Sequence, residues 1–148
     1  LDLDRGIESL ERLYVAGLCG LAYGLADVVE AMRAQRISCG IMVISGGASR
    51  SPLVRQIMAD TTGLAVALPA TAEPVLLGAA MLGAVAGGAY VSIDRAMESM
   101  SRIAEVTQPR RGEIAEFHAA KRRIYARMQA LDRESRAVMR PFAVRPAN

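Results

Sequence analysis

The chain has 148 residues, 52% of them hydrophobic and 22% charged, with a net charge of +3. That is enough apolar material for one domain with a packed core, and it excludes an intrinsically disordered chain. Two cysteines, no Trp, two Phe and four Tyr exclude a disulfide framework and point to a core of Ala, Leu, Val and Met.

Residues 5–34 carry Leu10, Leu13, Tyr14, Gly17, Leu18, Leu21, Leu25, Val28, Val29 and Met32 on one stripe. This spacing predicts a long amphipathic helix, with Asp4 as its N-cap. Gly17, Gly20 and Gly24 each weaken a helix by ~1 kcal/mol relative to Ala, so keeping all three predicts close approach of another element. Cys19 and Cys39 lie in apolar runs and read as small buried hydrophobes.

Residues 39–45 are short and β-rich, which predicts a buried strand. The strand breaks on Gly46-Gly47 and feeds a helix with Ser51 as N-cap and Pro52 at its first position. Leu53, Val54, Ile57 and Met58 form the apolar face of that helix, and Gly63 stops it. Residues 64–68 predict a second strand. Strand, helix and strand in succession imply a parallel crossover and part of an α/β sheet.

Residues 74–93 carry no charge. Their length would permit a membrane span, and Ala79, Gly83 and Gly87 are spaced like a small-residue seam. Gly87-Gly88 would end the helix early and basic anchors are missing, so the run reads as a buried helix with no membrane. Ser92 or Asp94 caps a helix to about Ile103, residues 105–112 read as a loop, and a last long helix follows. Its stripe is Ile114, Phe117, Ile124, Met128, Leu131 and Val138, with Pro141 ending it and residues 141–148 a frayed tail. His118 on that helix reads as a surface histidine. Residues 109–148 hold ten basic and four acidic side chains. Without aromatic stacking partners they read as a solvated face, with no nucleic acid as partner.

A strand that breaks on two glycines before a helix lets backbone approach a ligand closely, and the free N–H groups of the first turn favour a phosphate. The G-x-x-x-x-G-K-[ST] and G-x-G-x-x-G consensus patterns are absent. Gly46-Gly47 is therefore a nucleotide turn of another kind or a plain structural turn. Residues 47–51 faintly resemble a serine nucleophile elbow, but the second glycine is missing and His118, the single histidine, lies on a distant helix. Asp60, near the end of its helix, has a structural role by default. The scattered His, Cys and carboxylates supply no metal-ligand spacing.

Ser45-Gly-Gly-Ala-Ser-Arg-Ser-Pro-Leu53, Gln56, Ala59-Asp60, Gly63, Glu73 and Gly78-Ala-Ala80 together resemble the C-terminal half of the FGGY carbohydrate kinases. Tyr14-Val-Ala-Gly-Leu-Cys-Gly-Leu-Ala-Tyr-Gly-Leu25 is similar to the pentulose-kinase branch with its ribulokinase-like members. The likeness runs from the first helix to about Arg140. It implies that residues 1–140 are an α/β, helix-rich fragment of an actin- and hexokinase-like (ribonuclease H-like) ATPase domain with a small sheet. It further implies a cytoplasmic kinase using ATP and Mg²⁺ on a small-molecule pentulose or polyol, with a homodimer as a possible assembly.

Carried over by position, Gly46, Gly47 and Ala48 would line the adenosine pocket and Ser51 would stand beside the adenine, a role compatible with its N-cap. Ser49 would lie nearby, and Glu73 and Gly78 would brace the pocket from behind. The resemblance supplies no catalytic residue within the chain. The family's sugar contacts and catalytic aspartate fall upstream of Leu1, and Asp2, Asp4 and Asp60 do not take that role. The alternative is a non-catalytic helical interaction domain in which Gly-Gly is only a turn.

Overall fold

The computed structural model describes residues 6–142. Asp2, Asp4 and residues 143–148 lie outside the described residues. A first helix, α1 (Ile7–Ala34), is followed by strand β1 (Ile41–Val43), a 3₁₀ turn over Gly47–Arg50 and helix α2 (Pro52–Thr62). Strand β2 (Ala65–Pro69), helices α3 (Pro74–Ala86) and α4 (Ile93–Met100), strand β3 (Ile103–Thr107) and helix α5 (Glu113–Met139) complete the order. A short 3₁₀ turn, Arg140–Phe142, follows α5.

The three strands form one sheet in the order β1-β2-β3. β1 and β2 pair in parallel, Ile41 to Ala65 through Val43 to Ala67, as strand–helix–strand predicts. β3 pairs antiparallel with β2. It falls where sequence reasoning placed the end of a helix and a loop. Its Ile-Ala-Glu-Val-Thr run is too short and too polar to stand out, and pairing with β2 supplies what local pattern does not. Successive strand residues face opposite sides. Val66 and Ala67 are both fully buried, so the central strand is covered on both faces. β1 is not the buried strand expected: Ile41 and Val43 are each more than half exposed.

α2 is delimited as its sequence demands. Ser51 Oγ accepts the Val54 N–H at 3.4 Å, Pro52 follows, and Gly63 closes the helix at φ 68°. Val54 and Ile57 are buried, and the helix packs against α1, α5 and β2. α1 starts with Gly6 at its N-cap. At its other end Arg36 takes a left-handed φ of 63°, and the N–H groups of Arg36 and Ile37 return to the carbonyls of Arg33 and Met32. This is a Schellman closure made without glycine.

The burial of α1 differs from its apolar stripe. Ala22, Tyr23, Ala26 and Val29 are buried, whereas Leu10, Leu13, Tyr14, Leu21 and Val28 are more than half exposed. Close approach occurs at Gly24, where an added Cβ would stand 3.5 Å from the Tyr125 hydroxyl, and Gly17 and Gly20 face open space. α3 is likewise not the buried helix expected, since Val75, Leu76 and Leu82 are largely exposed and Met81 is its buried residue. Cys19 and Cys39 are free and half-buried.

His118 corrects the surface assignment most sharply. It is buried against Tyr23, whose hydroxyl lies 3.0 Å from His118 Nδ1. Burial holds the His118 pKa below its ordinary value and pushes the Tyr23 phenol up to about 12. Phe117, Ile124, Met128, Leu131 and Val138, the expected stripe of α5, are more than half exposed.

Asp60 ties α2 to the segment before α5. Its fully buried carboxylate accepts the Arg110 backbone N–H at 2.7 Å, Arg110 Nε at 2.9 Å, Arg110 Nη2 at 2.7 Å and Gln56 Nε2 at 2.9 Å. Burial alone would raise its pKa, but the Arg110 bonds, then Gln56, outweigh it and hold the carboxyl below the ordinary value. The lowered pKa means that stability from this cluster is present above about pH 4 and is lost as pH falls through the folded value. Arg110→Ala should cost about 1–3 kcal/mol in chemical denaturation, because it leaves the buried carboxylate only the Arg110 backbone N–H and Gln56 as partners. The variant should also show a weaker acid dependence, since only the Arg110 backbone N–H and Gln56 still favour the carboxylate. A variant with parental stability and acid profile would contradict this role.

Candidate functional site

The site is built where the two parallel strands end. Ligands of open α/β sheets bind outside the carboxyl ends of such strands. β1 extends by one bond, from the Ile44 N–H to the Ala67 carbonyl at 3.0 Å, and then reverses at Gly46. Gly46 has φ 84° and ψ −170°, a region open in practice to glycine alone. The Ser49 N–H and Oγ both donate to the Gly46 carbonyl, at 3.1 and 2.6 Å. That carbonyl is thereby satisfied inside the turn, and Ser49 is buried.

The facing wall follows β2. Ala70 donates its N–H to the Arg102 carbonyl at 2.9 Å, and the Glu73 N–H donates to Thr71 Oγ1 at 3.2 Å. Between this segment and the glycine turn lies a cavity of about 520 Å³, within the range of small-molecule sites. Ser45, Gly46, Gly47 and Arg50 border it from one side, Thr71 and Glu73 from the other. Arg50 and Glu73 set opposite charges on its two walls.

Gly46 and Gly47 thus line the cavity together, as does Ser49, although its hydroxyl is spent on the turn. Ala48, in the same turn, is exposed and is not among the lining residues. Ser51 also stands off the lining, its Oγ engaged as the α2 cap. Glu73 lies on the cavity wall rather than behind it, while Gly78 lines a separate apolar groove with Met81 and Met97. Sequence reasoning gave Arg50 no role although it lies inside the Ser45–Leu53 motif, and passed over Thr71, which carries no motif of its own.

Gly47 is the informative residue. It lacks a positive φ, and an added Cβ would meet nothing within 4 Å. Neither the turn nor the packing requires a glycine there, so the absent side chain leaves bare main chain facing the cavity. Two apolar grooves are larger, about 730 Å³ between α1 and α5 and about 630 Å³ beside α3 and α4. Neither is bordered by a bare turn at the strand ends. Among the described residues no group of three His, Cys, Asp or Glu could hold a metal ion.

A small mixed sheet with a parallel pair, a glycine turn at its carboxyl end and flanking helices fits a fragment of an actin- and hexokinase-like domain. A profile described as the C-terminal domain of the FGGY family of carbohydrate kinases matches residues 3–87, and the chain belongs to that family. It is 34% identical over 139 residues to an FGGY carbohydrate kinase domain-containing protein of Xenopus laevis and to one of Homo sapiens. Each alignment covers 94% of this chain and 25% of the relative. The structure of xylulose kinase from Rhodospirillum rubrum superposes with a TM-score of 0.64 at 27% identity, covering 88% of this chain and 25% of that one. The chain therefore spans about a quarter of the length of these relatives.

The two glycines should separate by experiment. Gly46→Ala forces a side chain into a left-handed backbone and should destabilise by about 1–3 kcal/mol. Gly47→Ala should be close to neutral in thermal denaturation, since its Cβ enters open space. Equal losses at both positions would show that Gly47 serves the turn.

Proposed function

We propose that this chain supplies the ATP seat of a carbohydrate kinase that transfers the γ-phosphate to a hydroxyl of a pentulose or related polyol. Gly46 and Gly47 form the seat for the nucleoside, with Ala48 and Ser51 at its edge. The observation that carries this reading is Gly47, a glycine with no conformational or packing need for lacking a side chain, at the wall of a nucleoside-sized cavity. A flat purine nucleoside needs such a bare surface, and Val or Leu there would fill it.

The catalytic carboxylate and the sugar contacts come from parts of the intact protein beyond these 148 residues. The carboxylate draws the proton from the sugar hydroxyl, and domain closure excludes water as a competing acceptor. Mg²⁺, which keeps several waters and binds largely through phosphates, would be held by the nucleotide's phosphates and would neutralise their charge. The N-terminus of α2, beside the turn, favours negative charge. Relatives matched over shorter stretches are named ribulokinase, glycerol kinase and autoinducer-2 kinase, so support for a polyol-type acceptor is broader than support for any one sugar.

The reading places the protein in the cytoplasm. α1 has the length and composition to cross a membrane, with 22% of its apolar window buried; its buried side packs on α2 and α5, and α3 has only 13 residues. A non-catalytic interaction domain is the second reading. The exposed apolar faces of α1, α3 and α5 favour it.

Isothermal titration of the full-length protein should detect ATP or ADP binding, and the 148-residue chain alone should phosphorylate no sugar. Gly47→Val should weaken nucleotide binding about tenfold or more by overpacking the seat. No nucleotide binding by the full-length protein, or Gly47→Val with parental affinity, would contradict the proposal.

A further inference from the structure

The glycine turn has no apolar anchor of its own. Gly46, Gly47, Ala48 and Arg50 are exposed, and its internal hydrogen bonds fix its shape without fixing its place. One side chain from outside the turn supplies that tie. Arg55, one turn into α2 and 4% exposed, donates from Nη1 to the Ser49 carbonyl at 2.6 Å. Its Nη2 reaches Glu105 Oε2 on β3 at 2.8 Å. Ala104, the residue before Glu105, borders the same cavity. The guanidinium thus joins the turn to β3, while neither Arg55 nor Glu105 itself borders the cavity.

This arrangement is poor for stability alone. Arg55 Nε is buried without a partner. A buried donor left unsatisfied is unfavourable, and a hydrophobic residue commonly replaces a buried ion pair at no loss. A guanidinium fork differs from a hydrophobic residue in that it fixes two acceptors at a set spacing and angle. Glu105 is half-exposed, so the pair is anchored at its solvent side and directed at the turn on its buried side.

We propose that Arg55 is a positioning residue for the nucleotide, and that with Glu105 it clamps the Gly46–Ser49 turn at the height the nucleoside requires. The inference rests on the reading of that turn as the ATP seat. The clamp never touches the nucleotide. It acts through the Ser49 carbonyl, and releasing it lets the turn drift while the sheet and α2 persist.

The test is isothermal titration of ADP into the full-length protein, well below its melting temperature. Arg55→Met keeps the stem and removes both donors, Glu105→Ala removes the anchor, and Glu105→Gln keeps an acceptor at the same reach. Arg55→Met should raise the ADP dissociation constant roughly tenfold and Glu105→Ala severalfold, with Glu105→Gln within about twofold of the parent. A purely structural Arg55 would lower the melting temperature and leave the dissociation constant in place, and that result overturns the clamp. Equal losses for Glu105→Ala and Glu105→Gln overturn it as well. If Arg55→Met does not fold, the two Glu105 variants decide. Gly47→Val, titrated alongside, separates the failures. Parental affinity in Gly47→Val removes the seat itself, whereas a weakened Gly47→Val beside an unaffected Arg55→Met removes the clamp alone.

Discussion

The left-handed backbone at Gly46 is the constraint on which the site depends. It turns the chain sharply at the end of β1, so that Gly47 faces the cavity and Ser51 arrives in register to cap α2. A side chain at Gly46 would oppose this φ, and a turn of another kind would carry the start of α2 elsewhere. Because α2 also carries Arg55 and Asp60, its placement fixes the tie to β3 and the tie to Arg110. One backbone torsion thereby links the strand end, the cavity and the packing of the last helix.

The parts of this fold that were legible in the sequence are those encoded by short-range chemistry. Ser51, Pro52 and Gly63 delimit α2 because capping acts within four residues, and a strand on each side of α2 forces the parallel pair. β3 was not legible. Its five residues gain strand character from β2, a partner distant in sequence. The Arg36 closure of α1 was equally hidden, since the sequence signal for a left-handed helix end is glycine or asparagine and neither is present.

Burial was the least legible property, for a physical reason. Helical periodicity reports which side chains share a face and says nothing about what covers it. Leu10, Leu13 and Leu21 share a face of α1 that is exposed, while Tyr23 and His118, chosen by no apolar pattern, are buried because aromatic and imidazole rings satisfy one another's polar atoms. Of the candidate site, the glycines were legible from the strand-to-helix break. Arg55 was not, because an arginine among apolar neighbours on a helix gives no sign that its head turns inward. His118 misled for the complementary reason, since a polar residue between exposed neighbours gives no sign of the tyrosine that receives it.

The central claim is that bare main chain at Gly46 and Gly47 seats a purine nucleoside. A crystal structure of the full-length protein with bound ADP tests it most directly. The account predicts the adenosine moiety lying against Gly46 and Gly47, in the notch between that turn and residues 70–73. A nucleoside bound elsewhere, with the notch closed by side chains of another segment, would contradict it.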